Sequence, residues 1–259
     1  MDAVQRQTRT QTPYFLVRAL TPEAITALAL LTGFYSLALS VNSHYDLAAL
    51  MIEMALVFDW LDGLVARRLD TASRLGVEFD SLSDVTAFGV APAGLVYIWA
   101  LKPAGVWGAT ISGLYVLCAA LRLARFNKQV GSIGKSRFVG LPVPGAAAMI
   151  AGLALANGGF EIGSSRPFWA MMVPVTLILA CLMISRVPYP SFKSVSLRHA
   201  TLPITIVIFS AMGFLLIAPR VAACAFASIY VISGPILLAR GERIGADVPG
   251  LWNSRQEQK

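Results

Sequence analysis

The chain has 259 residues, of which 56% are hydrophobic and 14% charged, with a net charge of +7 from 21 Lys and Arg against 14 Asp and Glu. Soluble domains carry roughly 25% charged residues, so this composition excludes an ordinary soluble protein and points to an integral membrane one. Cys118, Cys181 and Cys224 each sit alone in an apolar run, which excludes a disulfide framework and zinc-ligand spacing.

The N-terminal dozen residues are polar, and no small-residue cleavage site follows the first apolar run, so residues 1–21 are expected to remain as a cytoplasmic and interfacial segment. Within it, Pro13 to Leu20 predicts a short interfacial helix. Thr21 then reads as an N-cap, with Pro22 at the first helical position of the first span. Apolar runs predict eight spans, centred on residues 23–41, 46–66, 82–100, 105–125, 142–158, 168–185, 201–218 and 221–239. The expected fold is an all-α, polytopic membrane bundle forming a single domain over residues 1–240, followed by a cytoplasmic tail at 241–259.

With the N-terminus in the cytoplasm, 18 of the 21 Lys and Arg residues fall on the cytoplasmic side, leaving Lys102, Arg166 and Arg220 on the other. That asymmetry follows the positive-inside rule and predicts both chain ends in the cytoplasm of a cell-membrane protein. The positive charge is thus explained by topology and anionic headgroups, and no nucleic-acid partner is expected.

Six acidic residues lie between Asp59 and Asp84. Four of them form the array Asp59-x-x-Asp62-Gly63-x-x-Ala66-Arg67-x8-Gly76-x3-Asp80-x3-Asp84. Carboxylates in apolar helices are costly, roughly 2.5 to 3.5 kcal/mol each at a helix centre, so a group of them calls for a counter-charge. Asp59, Asp62 and Ala66 share one face near the cytoplasmic end of the second span, and Gly76, Asp80 and Asp84 share one at the start of the third. A turn over 67–74 would bring the two faces together. The donors would all be oxygen, which suits magnesium, manganese or calcium better than zinc. The glycines leave room for a ligand or equally let helices approach closely.

The string from Asp59 to Arg67 (DWLDGLVAR), continued by Gly76, Asp80 and Asp84, is similar at every fixed position to the signature of the CDP-alcohol phosphotransferases. Such enzymes transfer a substituted phosphate from a CDP-linked donor to an alcohol and release CMP. The resemblance implies that Asp59, Asp62 and Asp80 bind metal, and that Asp84 is a fourth ligand and the general base. It also implies that Gly63, Arg67, Ser73 and Gly76 belong to the CDP-diacylglycerol site, with Ser73 outside the fixed signature. No Cys or Ser-His arrangement suggests a covalent intermediate.

Three further segments resemble the phosphatidylserine synthase branch of that family: Arg122 to Asn127, Phe138 to Pro144 and Ser185 to Lys193. This implies CDP-diacylglycerol and L-serine as substrates, membrane lipids as surroundings and a homodimer. Serine is a zwitterion, and Arg122, Arg125, Arg186 and Lys193 are the candidate partners for its carboxylate or for phosphate. The same chemistry with glycerol 3-phosphate, inositol phosphate or choline is the nearest alternative. A divalent cation transporter is the alternative from another class, and it predicts carboxylates spread through membrane depth; Glu53 alone lies deeper than the array.

Overall fold

The computed structural model describes residues 2–69, 74–129, 137–158, 166–190 and 219–239. These residues form a helical bundle: α1 (Asp2–Val41), α2 (Tyr45–Leu69), α3 (Arg74–Asp84), α4 (Ala91–Val96), α5 (Val106–Gln129), α6 (Val143–Ala156), α7 (Arg166–Ile184) and α8 (Pro219–Ala239). α3 and α4 belong to one rod, interrupted by π-helical turns at Val85–Val90 and Tyr97–Leu101 and finished by a 3-10 turn at Lys102–Ala104. Gly105, at φ 59, ends the rod in a backbone region that glycine enters without a Cβ penalty.

Among the described residues, four stretches are long and apolar enough to cross a membrane: Pro22–Val41, Leu75–Ala104, Val106–Asn127 and Val221–Ala239. Val143–Ala156 and Phe168–Ile184 are shorter apolar helices. α2 has the length of a span, but Asp46, Glu53, Asp59 and Asp62 lower its hydropathy. The protein is therefore a membrane helical bundle, and the expected span at 201–218 lies outside the described residues. The third expected span begins earlier than its apolar core at 82–100, because the helix already runs from Arg74 through the acidic stretch.

The separate interfacial helix expected at Pro13 to Leu20 is not observed. α1 is continuous from Asp2 to Val41, and Thr21 and Pro22 lie inside it rather than at a cap. Each proline deletes one backbone bond, which a long helix tolerates when the ladder resumes on both sides.

Small residues let the helices meet closely. A Cβ on Gly33 of α1 would stand 2.6 Å from the Ala87 Cα in the first π-turn, and one on Gly152 of α6 would stand 2.8 Å from the Cys224 Cα of α8. Such backbone-to-backbone approach is how helices associate where hydrophobic burial alone supplies little driving force. Phe88, Leu95, Ile150 and Met183 fill the centre with no exposed surface. Phe34 and Tyr35 on α1 and Ile229 and Ile232 on α8 face outward, as lipid-facing side chains do.

The all-α expectation needs one amendment. β1 (Arg137–Val139) pairs antiparallel with β2 (Pro188–Pro190), with Phe138 opposite Tyr189. Beyond the ladder, the Gly140 N–H bonds the Val187 carbonyl (2.8 Å) and the Leu141 N–H bonds the Leu182 carbonyl in the last turn of α7 (3.0 Å). Gly140 has φ 80, and a Cβ there would stand 2.6 Å from the Met183 carbonyl oxygen, so this crossing of α7's end requires glycine. Two motif segments that sequence reasoning treated separately are thus bound to one another.

Candidate active site

α2 and α3 present their acidic faces to each other. Asp59, Asp62 and Asp80 each offer an oxygen within 4.8 Å of the other two. Asp84, one turn beyond Asp80, joins them through a hydrogen bond with Asp59, and the charges of Asp59, Asp80 and Asp62 all act on it. Asp62 is buried, whereas Asp59, Asp80 and Asp84 are partly buried.

Like charges at this spacing, in surroundings poorer in water than the bulk, repel strongly unless a cation lies among them. The donors at the cluster are carboxylate oxygens, with no imidazole or thiolate among the described residues of the group. They fit a hard divalent cation.

The cluster is braced from α1. The Thr26 hydroxyl lies 2.6 Å from Asp62 Oδ2 and 3.0 Å from the Pro22 carbonyl oxygen. The Gly63 backbone N–H also bonds the Asp62 carboxylate. Ser83 Oγ in turn donates to the Thr26 carbonyl (3.1 Å). Thr26, Asp62 and Ser83 are all buried, so one residue of α1 ties the α2 ligand to the α3 helix. Sequence reasoning missed Thr26 and Ser83. A hydroxyl in the first turn of an apolar span was the available signal, but only the fold reveals its partner.

On α3's other flank, Asn127 Nδ2 donates to Ser81 Oγ (2.7 Å), holding the end of α5 beside Asp80. Five residues back on α5, Arg122 is only 8% exposed. Its guanidinium lies within electrostatic reach of Asp84 and of Tyr230 on α8, and 5.6 Å from the Phe126 ring centroid. Arg122 Nε is buried with no hydrogen-bond partner among the described residues. A buried guanidinium needs partners for its donors, and an anion entering beside Asp84 would supply one.

The other predicted site residues divide. Gly63 and Gly76 flank the cluster on α2 and α3. Arg67 occupies the last turns of α2, and its side chain lies outside the described residues, as do Ser73 and Lys193. Arg125 does not share Arg122's surroundings: its Nη1 donates to the Ile184 carbonyl at the end of α7 (3.1 Å). Arg186 is exposed. Arg122 and Arg125, both candidate partners for the acceptor, therefore have different neighbours: Asp84 and Tyr230 act on the first, and the end of α7 holds the second.

Sequence reasoning also missed the aromatic wall beside Arg122. The Tyr230 ring packs against Tyr189 of β2, with centroids 5.6 Å apart. Tyr189 is fully buried and its hydroxyl donates to the Val231 carbonyl (3.1 Å). Burial pushes the Tyr189 phenol up to about 12, which keeps it a neutral donor.

Comparison with known proteins gives this geometry a family. The chain is 33% identical over 217 residues to the CDP-diacylglycerol–serine O-phosphatidyltransferase of Helicobacter pylori, covering 83% of this chain and 89% of that one. It is 30% identical over 245 residues to the Mycobacterium tuberculosis protein of the same name, covering 92% and 84%. It is 38% identical over 172 residues to the archaetidylserine synthase of Methanothermobacter thermautotrophicus, covering 65% and 69%. The sequence model described as CDP-alcohol phosphatidyltransferase matches residues 19–184, which contain the four carboxylates, the Thr26 brace and Arg122. The chain belongs to the CDP-alcohol phosphatidyltransferase family.

Proposed function

We propose that this protein transfers the phosphatidyl group of CDP-diacylglycerol to L-serine, releasing CMP and forming phosphatidylserine. The observation that carries this reading is a buried guanidinium beside the carboxylate cluster: Arg122 lies within electrostatic reach of Asp84. The names of the similar bacterial and archaeal proteins support the same acceptor.

Asp59, Asp62, Asp80 and Asp84 would hold divalent cation, magnesium or manganese, with calcium a third option. When bound, the cation neutralises the pyrophosphate and stabilises CMP as a leaving group. Gly63 and Gly76 leave space for the nucleotide, and Arg67 and Ser73 hold the donor's nucleotide and phosphates. The acceptor hydroxyl oxygen attacks the phosphorus that bears the diacylglycerol, the bond from that phosphorus to the CMP oxygen breaks, and the hydroxyl proton passes to Asp84. Close geometry lets one carboxylate serve as base in this step. Arg122 receives the serine carboxylate; Arg125, Arg186 and Lys193 remain secondary candidates for anion contact.

A single guanidinium matches a monoanionic carboxylate. Among the described residues Arg122 is the one buried basic side chain, so glycerol 3-phosphate or inositol phosphate would bring more charge than it alone balances, and choline would bring no anion for it. A cation transporter is disfavoured because Glu53 lies six residues, about 9 Å of helix, from Asp59 and nothing acidic on α2 fills the interval.

The protein is expected to sit in the cell membrane as one domain over residues 1–240, with eight spans, the active site and both termini in the cytoplasm, and a tail at 241–259. Homodimers are expected to form through outward apolar helix faces. The test of function is CMP release by the purified protein with CDP-diacylglycerol and magnesium or manganese. Release should depend on L-serine and stop with chelator. Release with glycerol 3-phosphate in place of serine would overturn the acceptor and keep the chemistry.

A further inference from the structure

Proline has no backbone N–H, so inside a helix it leaves the carbonyl four residues earlier without its helical donor. In the dry interior of a membrane protein no water is at hand to replace that donor. Pro92 does this to the Phe88 carbonyl in the rod that carries Asp84, and Pro235 does it to the Val231 carbonyl in α8. In both places a tyrosine from another element supplies a donor. The Tyr115 hydroxyl of α5 bonds the Phe88 carbonyl (3.3 Å), and the Tyr189 hydroxyl of β2 bonds the Val231 carbonyl (3.1 Å). Both tyrosines are fully buried. At the second, a Cβ on Gly234 would run into the ring.

The first occurrence bears on the reaction. Phe88 stands four residues after Asp84, inside the π-turn Val85–Val90 that starts directly behind that carboxylate. Two helices grip this turn. A Cβ on Gly33 of α1 would stand 2.6 Å from the Ala87 Cα, and a Cβ on Gly89 would stand 3.5 Å from the Ala119 Cβ of α5. Tyr115 and Ala119 are four residues apart and share one face of α5. The apolar contacts set how near the turn comes to its neighbours. The Tyr115 hydroxyl adds direction, because a hydrogen bond fixes an orientation and apolar burial does not.

We infer that Tyr115 is a positioning residue for Asp84: its hydroxyl occupies the Phe88 carbonyl that Pro92 leaves without a helical donor, and so fixes the π-turn from which Asp84 reaches the carboxylate cluster. The inference rests on the role of Asp84 in the proposed transfer. Tyr115 touches no reacting atom and moves no proton. Without its hydroxyl, the buried Phe88 carbonyl would be satisfied only by a shift of the turn, and Asp84, about one turn away, would shift with it.

The test is steady-state CMP release by wild type, Tyr115→Phe, Pro92→Ala and the double variant, titrated with L-serine at saturating CDP-diacylglycerol and magnesium. Tyr115→Phe keeps the ring and its packing. It should lower kcat about tenfold, the scale of one net hydrogen bond, with the serine KM unchanged within a factor of about two. Pro92→Ala restores an N–H four residues beyond Phe88, so in that background Tyr115→Phe should lower kcat less than about twofold. A hydroxyl that acted through packing alone would show no such rescue. Equal losses with and without Pro92→Ala, a wild-type kcat in Tyr115→Phe, or a serine KM that rises while kcat holds would each overturn the assignment. Wild type that releases CMP with glycerol 3-phosphate and not with serine would overturn the acceptor reading alone, and the same kcat ratios taken with that alcohol would decide the role of Tyr115. Wild type that releases no CMP with any alcohol would overturn the transfer reading, and this inference with it.

Discussion

Two neighbouring turns of α2 and two of α3 supply the four carboxylates, so one side of the cleft comes from two short stretches of chain. The opposite wall draws Arg122 from α5, Gly145 from α6, Tyr189 from β2 and Tyr230 from α8. On the acidic side, the spacing of residues along a helix already sets the geometry, because i, i+3 and i+4 positions meet on one face. On the other side, geometry exists only after four elements have packed. Under the proposed function, the local side carries the transfer chemistry and Arg122, on the assembled side, meets the acceptor.

Substitutions can break that comparison, and the largest effect should come from the acidic side. Asp84→Asn removes the proposed proton acceptor while keeping a similar shape, and turnover should fall by about 100-fold to 10,000-fold. Donor binding, followed by retention of labelled CDP-diacylglycerol, should survive. Turnover within a factor of about two of wild type at saturating metal would remove Asp84 from the role of base. Next, Asp80→Asn should raise the magnesium concentration needed for half-maximal activity by about 100-fold, since loss of a ligand should cost at least as much as loss of a residue that supports one. A variant with an unaltered metal titration would exclude Asp80 from the ligand set.

The basic side should respond in a different parameter. Arg122→Ala is expected to raise the serine KM by about 30-fold or more, the cost of deleting one partner of a buried charge pair. Its metal requirement should stay near that of wild type. If metal titration shifts and serine KM does not, the two sides are not separable in the way proposed. The smallest effect sharpens the boundary: Thr26→Val removes the hydroxyl on Asp62 without touching the cleft, and should weaken apparent metal affinity about tenfold. Its serine KM should not move. Rescue by Thr26→Ser would tie the change to the hydroxyl rather than to packing.

The legibility of the molecule in its sequence follows the same line. The apolar runs of α1, α5, α7 and α8 and the acidic faces of α2 and α3 are local patterns, and the structure carries all of them. Asp59, Asp62 and Asp80 converge as their spacing predicts. Thr26 looked like an ordinary helix residue because its partners, Asp62 and Ser83, lie 36 and 57 positions away. Tyr189 stood within a recognisable motif, but its packing against Tyr230 and Gly234 depends on α8. Arg122 and Arg125 show the converse error, since helix spacing gives side-chain direction but not what waits there. Thr21 and Pro22 carried a strong cap signal, and the continuous α1 overrode it.

The π-turn that follows Asp84 sets where along the rod a residue can be gained or lost, which no side chain reveals. A π-turn holds an additional residue relative to the α-helix, and each residue advances an α-helix by about 100°. In the first such turn, the Ala91 N–H reaches back five residues to the Thr86 carbonyl, while the Tyr115 hydroxyl donates to the Phe88 carbonyl (3.3 Å). Deleting one residue between Val85 and Val90 would restore regular helix hydrogen bonding with little rotation, whereas deleting one from the regular turns of Ala91–Val96 would turn Asp80 and Asp84 by about 100° relative to the packed segment around Leu95 and Trp99. The π-turn thus absorbs one residue while keeping the rotational phase between the half of the rod that is anchored in the bundle and the half that carries Asp80 and Asp84.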